Sequence, residues 1–146
     1  MSFTVVLNSA NIAGGTLPNS CQYSFDWSVF EDCPYKVNLS FLSQDMVNIS
    51  ESLFIVSIPD LGVNLNTYTA GASTTANSSS VVALISPSYY VADGGTNIQF
   101  LKGKSVFSIP NKPRSTTFTV FIKNVDGTLF PAGAINYIMT LYFEKV

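Results

Sequence analysis

The sequence predicts an all-β chain, an antiparallel β-sandwich, and three observations carry that prediction. Apolar and polar residues alternate with period two in stretch after stretch, which puts the large side chains of each stretch on one face. Turn-forming residues recur about every ten positions, the spacing of short strands joined by loops. No segment carries the 3.6-residue apolar period of a helix of three turns. At 146 residues the chain has the length of one domain with room for a core of its own, so residues 1–146 are expected to form a single β-sandwich.

Taken in order, Phe3, Val5 and Leu7 alternate with Thr4 and Val6 and predict a first strand. Asn8 to Ser20, with Gly14-Gly15 and Leu17-Pro18, reads as a loop long enough to cross a sandwich edge. The run Cys21 to Ser43 holds the two cleanest patterns: Tyr23, Phe25 and Trp27, then Tyr35, Val37, Leu39 and Phe41. Carboxylates and a proline separate them, predicting either a hairpin or two strands facing each other across the sandwich, with Trp27, Phe25 and Tyr23 in the core. Gln44 to Ser52 reads as a short helical turn or an exposed loop, and Leu53 to Ile58 as a strand buried on both faces or a central strand under a partner. A short strand is expected near Thr67 to Thr69, then a surface loop of small polar residues from Ala70 to Ser80.

Val81 to Ile85 predicts a strand stopped by Ser86-Pro87, and Tyr89 to Val91 leads into the turn Asp93-Gly94-Gly95. Ile98 to Leu101 and Ser105 to Ile109 read as two strands flanking Lys102-Gly103-Lys104. Thr116 to Lys123 is β-branched and aromatic throughout. Asn124-Val125-Asp126-Gly127 turns it, Pro131-Ala132-Gly133 bends the chain again, and Asn136 to Lys145 is the last strand. Strands near both ends of the chain and loops of uneven length argue against a simple meander. The single jelly-roll type is therefore preferred, with an immunoglobulin-like sandwich as the alternative.

Composition restricts the function. Charged residues are 11% of the chain and its net charge is −2, against about 25% charged residues in an average soluble protein. Its polar surface is built from 19 Ser, 12 Thr and 12 Asn, a neutral surface poorly protected against association, so partner subunits are expected to cover much of it. The basic residues Lys36, Lys102, Lys104, Lys112, Arg114, Lys123 and Lys145 are scattered apart from a loose group between 102 and 114, which disfavours a nucleic-acid partner. No apolar run reaches the roughly 18 residues of a membrane span. The first residues lack the charged region of a signal peptide, so the chain is expected to be made and kept in the cytosol.

The reactive inventory is small. Histidine is absent, which removes the usual His-based nucleophile systems and the common zinc sites. If Cys21 and Cys33 flanked a hairpin they would stand on the order of 20 Å apart, so both are expected as thiols. A glycosidase pair needs two carboxyl groups roughly 5 to 10 Å apart, but most of the nine carboxylates fall in turns. Glu31-Asp32, Asp93 and Asp126 could meet at one end of the sandwich to hold calcium, although no spaced calcium loop is present and solvated turns are the simpler reading. Asn38, Asn48 and Asn77 match the glycosylation acceptor pattern, as chance allows in a chain so rich in Asn and Ser. No residue is assigned a catalytic, cofactor-binding or metal-ligating role: catalytic none, cofactors none, metal none, and the chain is not expected to be an enzyme.

The fragments YSFDWS and YKVNLSFLS, LFIVSIP, NTYTA and the terminal YIMTLYFEKV together resemble the small single jelly-roll capsid proteins of large icosahedral double-stranded DNA viruses and virophages. The resemblance is one of pattern over nearly the whole chain. It implies a structural virion protein, penton or minor capsid protein, made in the host cytoplasm and located in the virion, with a homo-oligomer and other capsid proteins as partners. A basic N-terminal arm of the kind that reaches a genome is missing, so no nucleic acid and no direct membrane insertion are expected. The alternative is a carbohydrate-binding or cell-attachment module, for which Tyr68, Tyr89 and Tyr90 are the aromatic candidates.

Overall fold

A computed structural model describes residues 2–9, 20–43, 53–61, 63, 66–68, 76–91, 97–125, 127–129 and 136–146. Its strands are β1 (Ser2–Asn8), β2 (Ser20–Ser24), β3 (Tyr35–Ser43), β4 (Phe54–Ser57), β5 (Asn66–Tyr68), β6 (Ala76–Ser79), β7 (Val81–Val91), β8 (Asn97–Ile109), β9 (Thr117–Asn124) and β10 (Tyr137–Lys145). Eight of them follow one hydrogen-bonded order, β1-β10-β3-β8-β7-β4-β9-β2, every pair antiparallel, while β5 and β6 form a separate two-stranded sheet. Divided at β8 and β7, this order is two four-stranded sheets, β1-β10-β3-β8 and β7-β4-β9-β2. From β1 to β4, and again from β8 to β10, consecutive strands alternate between sheets. That is the jelly-roll order, with the β5-β6 hairpin inserted before β7.

Period-two patterning places the core. In the first sheet Phe3, Phe143, Val37 and Phe107 stand in one cross-strand row, Val5, Leu141, Leu39 and Ser105 in the next, and Leu7, Met139, Phe41 and Gly103 in a third. These rows face Cys21, Val120, Ile122, Phe54, Val56 and Ile85 of the second sheet in one cluster. Strand β4 is buried at all four positions, as its continuous apolar run predicts. Ile55 is buried yet outside that cluster, so both faces of β4 are covered. Two buried serines finish the ladders. Tyr137 N–H donates to Ser9 Oγ at 2.7 Å, just past the last β1-β10 pair, and Leu101 N–H donates to Ser43 Oγ at 2.9 Å, just past the last β3-β8 pair. Each hydroxyl satisfies a backbone donor that would otherwise be buried unpaired.

Of the two readings of the Cys21 to Ser43 run, the facing strands hold and the hairpin does not: β2 pairs with β9 and β3 with β10 and β8, so they belong to opposite sheets. Other expectations are corrected. β2 also stops at Ser24, because Asp26 Oδ1 accepts the Ser28 N–H at 2.9 Å and turns the chain. Trp27 is nevertheless buried, at 3% exposure, while Tyr23 and Phe25 pack partly buried against the core. The stretch expected as a loop from Ala70 to Ser80 contains β6, and Ser80, at φ 55°, leads directly into β7; residues 70–75 lie outside the described residues, as do 10–19, 44–52, 92–96 and 131–135. Pro87 does not stop β7. Among the described residues the strand pairs with β4 through Val81–Ile85 and with β8 from Ser86 onward, so past Ile85 its second side has no described partner and tolerates a residue without an N–H.

Nor does Lys102-Gly103-Lys104 separate two strands, since it lies inside the 13-residue β8. Residues 97–102 pair with β7 and residues 102–109 with β3. At the exchange β8 passes so close to β7 that a Cβ on Gly103 would lie 2.8 Å from Ile85 Cγ2 and nearer still to the Leu84 carbonyl oxygen. The neighbouring Ser105 hydroxyl donates to the Val82 carbonyl.

Two outcomes follow. Because the obstacle at position 103 includes backbone, Gly103→Ala should lower stability by about 1–3 kcal/mol, the cost of overpacking, read as a lower urea midpoint at unchanged slope. Trp27 packs on Phe25 at 4.5 Å, Phe143 at 5.6 Å, Phe30 at 6.2 Å and Phe3 at 6.4 Å between ring centroids. Trp27→Ala should therefore cost about 3–5 kcal/mol in the same titration, and a loss under about 1 kcal/mol would place its side chain outside the core.

Candidate interaction face

The residues between the core positions form the outer face of the β1-β10-β3-β8 sheet, and registers fix their neighbours. Four rows run across the strands: Ser2-Glu144-Lys36-Ser108, Thr4-Tyr142-Asn38-Val106, Val6-Thr140-Ser40-Lys104 and Asn8-Ile138-Leu42-Lys102. Five large apolar side chains stand on this face, with Val6 62% and Val106 60% exposed and Leu42, Ile138 and Tyr142 less so. The charges are unevenly placed. All three lysines lie on β3 and β8, Glu144 is at one end of β10, and β1 carries none.

Where β8 exchanges partners, the face opens into a cleft of about 510 Å³ lined by Ser40, Phe41, Leu42, Ser86, Pro87, Lys102, Gly103 and Lys104. Lys102 and Lys104 sit two residues apart on one strand, so their ammonium groups project to the same side. The described lining offers point charges, hydroxyls and a short apolar wall.

Most of the other charges among the described residues close one end of the sandwich. Lys112 Nζ donates to the Phe30 carbonyl at 2.7 Å and the Trp27 carbonyl at 3.1 Å, fixing the segment between β2 and β3. Lys145 Nζ donates to Glu31 Oε2 at 2.7 Å, which holds the Glu31 carboxyl below the usual carboxylate range and raises the Lys145 ammonium. Arg114 approaches Asp32 at 3.8 Å with both side chains exposed, a weak pair. Hydrogen bonds from Ser28 lower Asp26. Of the calcium candidates, Glu31 and Asp32 thus face cations, while Asp93 and Asp126 lie outside the described residues. Among the described residues no three Cys, Asp or Glu gather as a metal site.

One buried polar cluster escaped the sequence reading, because its members lie on strands of both sheets. Tyr23 Oη donates to Tyr137 Oη at 3.2 Å, and the Cys21 thiol is hydrogen-bonded to both. Burial pushes both phenols well above their ordinary range, and it raises the thiol against the opposing effect of those hydrogen bonds. Cys21 and the half-buried Cys33 are not joined in a disulfide. Tyr68 lies in β5 and Tyr89 and Tyr90 in β7, but their side chains are outside what the structure describes. Asn38 lies in the middle of β3, between β10 and β8. The chain matches no protein-family model and no curated protein.

The tyrosine cluster predicts the alkaline limit of stability. A phenol whose pKa is raised by folding keeps its proton in the native state after the unfolded chain has lost it. Stability is then level below the ordinary phenol value and falls as pH rises past about 10. Denaturant midpoints measured against pH should be flat near neutrality and decline at the alkaline end. Tyrosinate absorbance should show Tyr23 and Tyr137 ionising only as the chain unfolds. Ionisation of all seven tyrosines near pH 10 with the fold intact would contradict this account.

Proposed function

We propose that the chain is a structural virion protein, a penton or minor capsid subunit that assembles through neutral protein-protein contacts. The observation that carries the reading is the outer face of the β1-β10-β3-β8 sheet, where Val6, Leu42, Val106, Ile138 and Tyr142 are exposed together in a chain with 11% charged residues. Val6 stands diagonal to both Ile138 and Tyr142, and Ile138 directly opposite Leu42, while Val106 lies apart beyond Asn38; exposed apolar side chains grouped in this way mark a contact site. The jelly-roll order adds support, since viral shell domains use it, although lectin domains do as well. A shell subunit needs shape and adhesive surface rather than a reactive centre. Other capsid proteins and further copies of the chain are its partners in this reading, and the virion is its location.

Sedimentation at low and high salt tests it. Contacts that are apolar and neutral should hold when salt screens charges beyond a Debye length of about 8 Å, so oligomers should persist across the range. The double substitution Val106→Lys and Tyr142→Lys should leave the monomer folded, within about 0.5 kcal/mol of the unsubstituted chain, and weaken assembly. A monomer at every concentration that binds glycans on an array would overturn the reading in favour of the carbohydrate-binding module.

A further inference from the structure

The β1 edge is the feature of the fold that the preceding sections leave without a role. Strand β1 is one end of the eight-strand order and, among the described residues, pairs with β10 over seven unbroken registers. From Ser2 to Leu7, no backbone–backbone hydrogen bond among the described residues lies outside that ladder. An edge strand of this length is a template for another strand unless something blunts it, and the usual devices are charge, proline, a bulge or brevity. β1 has none of them: Ser2–Asn8 reads SFTVVLN, without a charge, a proline or a register shift. Elsewhere the devices are present. The β7 segment beyond β4 carries Pro87, and β2, at the opposite end of the order, is only five residues long. The three lysines of the outer face stand on β3 and β8, on the far side of β10 from this edge.

We infer that β1 pairs antiparallel with β1 of a second copy of this chain, joining two β1-β10-β3-β8 sheets into one eight-stranded sheet about a two-fold axis at Val5. The occupant is specified by the strand's own self-complementarity. In this register Phe3 lies opposite the partner copy's Leu7, Val5 opposite Val5, Thr4 opposite Val6 and Ser2 opposite Asn8. Apolar core positions therefore meet apolar ones, the polar ends meet each other, and no charge meets a like charge. An isologous contact requires this, because one patch serves both sides. The exposed Val6 side chain gains cover from the partner copy's Thr4 methyl, and a ladder of backbone hydrogen bonds supplies the rest. The self-pairing of β2 would bring only Ser20, Gln22 and Ser24 together on its polar face. The inference rests on the assembly reading above and names its first contact.

Because residues 4 and 6 face each other across the two-fold, two double variants separate pairing from general stickiness. Thr4→Lys with Val6→Lys sets like charges opposite each other twice. Thr4→Lys with Val6→Glu sets opposite charges at the same places. Both alter only exposed side chains, and circular dichroism of each establishes that the monomer is folded. Sedimentation equilibrium of the full chain should give a dimer for the unsubstituted protein. The two-lysine variant should bind itself roughly tenfold or more weakly, and the lysine-glutamate variant should recover the dimer in low salt and lose it in high salt. Hydrogen exchange should show β1 amides protected only in the variants that dimerise. If the unsubstituted chain assembles and the two-lysine variant assembles equally well, the edge inference is overturned while the shell reading stands on its outer face. If dimers form through β1 but nothing larger forms with them at any concentration, the edge inference holds and the shell reading falls. A strict monomer overturns both.

Discussion

The close approach of β8 to β7 at Gly103 is the constraint on which the architecture depends. Two four-stranded sheets need a place where one strand can leave its neighbour for another without stranding backbone groups in the core. β8 does this within one residue, with Lys102 the last partner shared by β3 and β7. Leu101, the next residue back, has its N–H taken by Ser43 Oγ. The absence of a Cβ at 103 lets the Leu84 carbonyl pass close by, and the Ser105 hydroxyl reaches the Val82 carbonyl one step further on. The backbone groups named at this crossing are met by a glycine or a serine hydroxyl, which gives the sequence richness in serine a structural use beyond its surface.

The aromatic end of the sandwich depends on that crossing less directly. Phe3 stacks on Phe30 with ring centroids 3.6 Å apart and on Phe143 at 4.7 Å, so an edge-strand residue is clamped between the β2-β3 connection and β10. The connection holds its shape because Lys112 reaches two of its carbonyls, Tyr35 Oη donates to the Glu31 carbonyl at 2.8 Å, and Val146 N–H donates to the Pro34 carbonyl at 3.2 Å. Lysine here acts mainly as a hydrogen-bond donor to backbone. Its long apolar stem lets it do so from the margin of the core.

Much of this fold was legible as local pattern, and the errors share one cause. Alternation identified β1 and β3, and β-branched and aromatic content β9, nearly to the residue, and the continuous run at Leu53 to Ile58 identified a strand. Gly103 and Pro87 were misread as breaks because glycine and proline usually punctuate strands. Here each marks a change of partner within a continuing strand, and which neighbour a residue has is not a local property. The β6 strand was missed for the complementary reason. Ala76–Ser79 has no apolar face to alternate, and its ladder with β5 alone makes it a strand. The interaction face was half legible: each strand's polar positions could be read in sequence, but not which strands lie side by side, and so not that Val6, Ile138 and Leu42 share one surface.

Register also explains why so few charges suffice. Of seven basic residues, Lys145 meets Glu31 and Lys112 holds the β2-β3 connection, while Lys123 lies 5.2 Å from the centroid of the Phe121 ring. Lys36 stands opposite Glu144 in its row, and Lys102 and Lys104 flank the cleft. The cations of the outer face therefore stand on β3, which is paired on both sides, and on β8, whose 103–109 segment pairs with β3, and leave β1 bare. Charge placed to prevent edge pairing would sit on the edge strand itself, where it would oppose every incoming strand. Its placement two strands inward permits the edge to pair while keeping the far half of the face hydrated, so the sparse charge limits where the sheet can stick and does not prevent it from sticking.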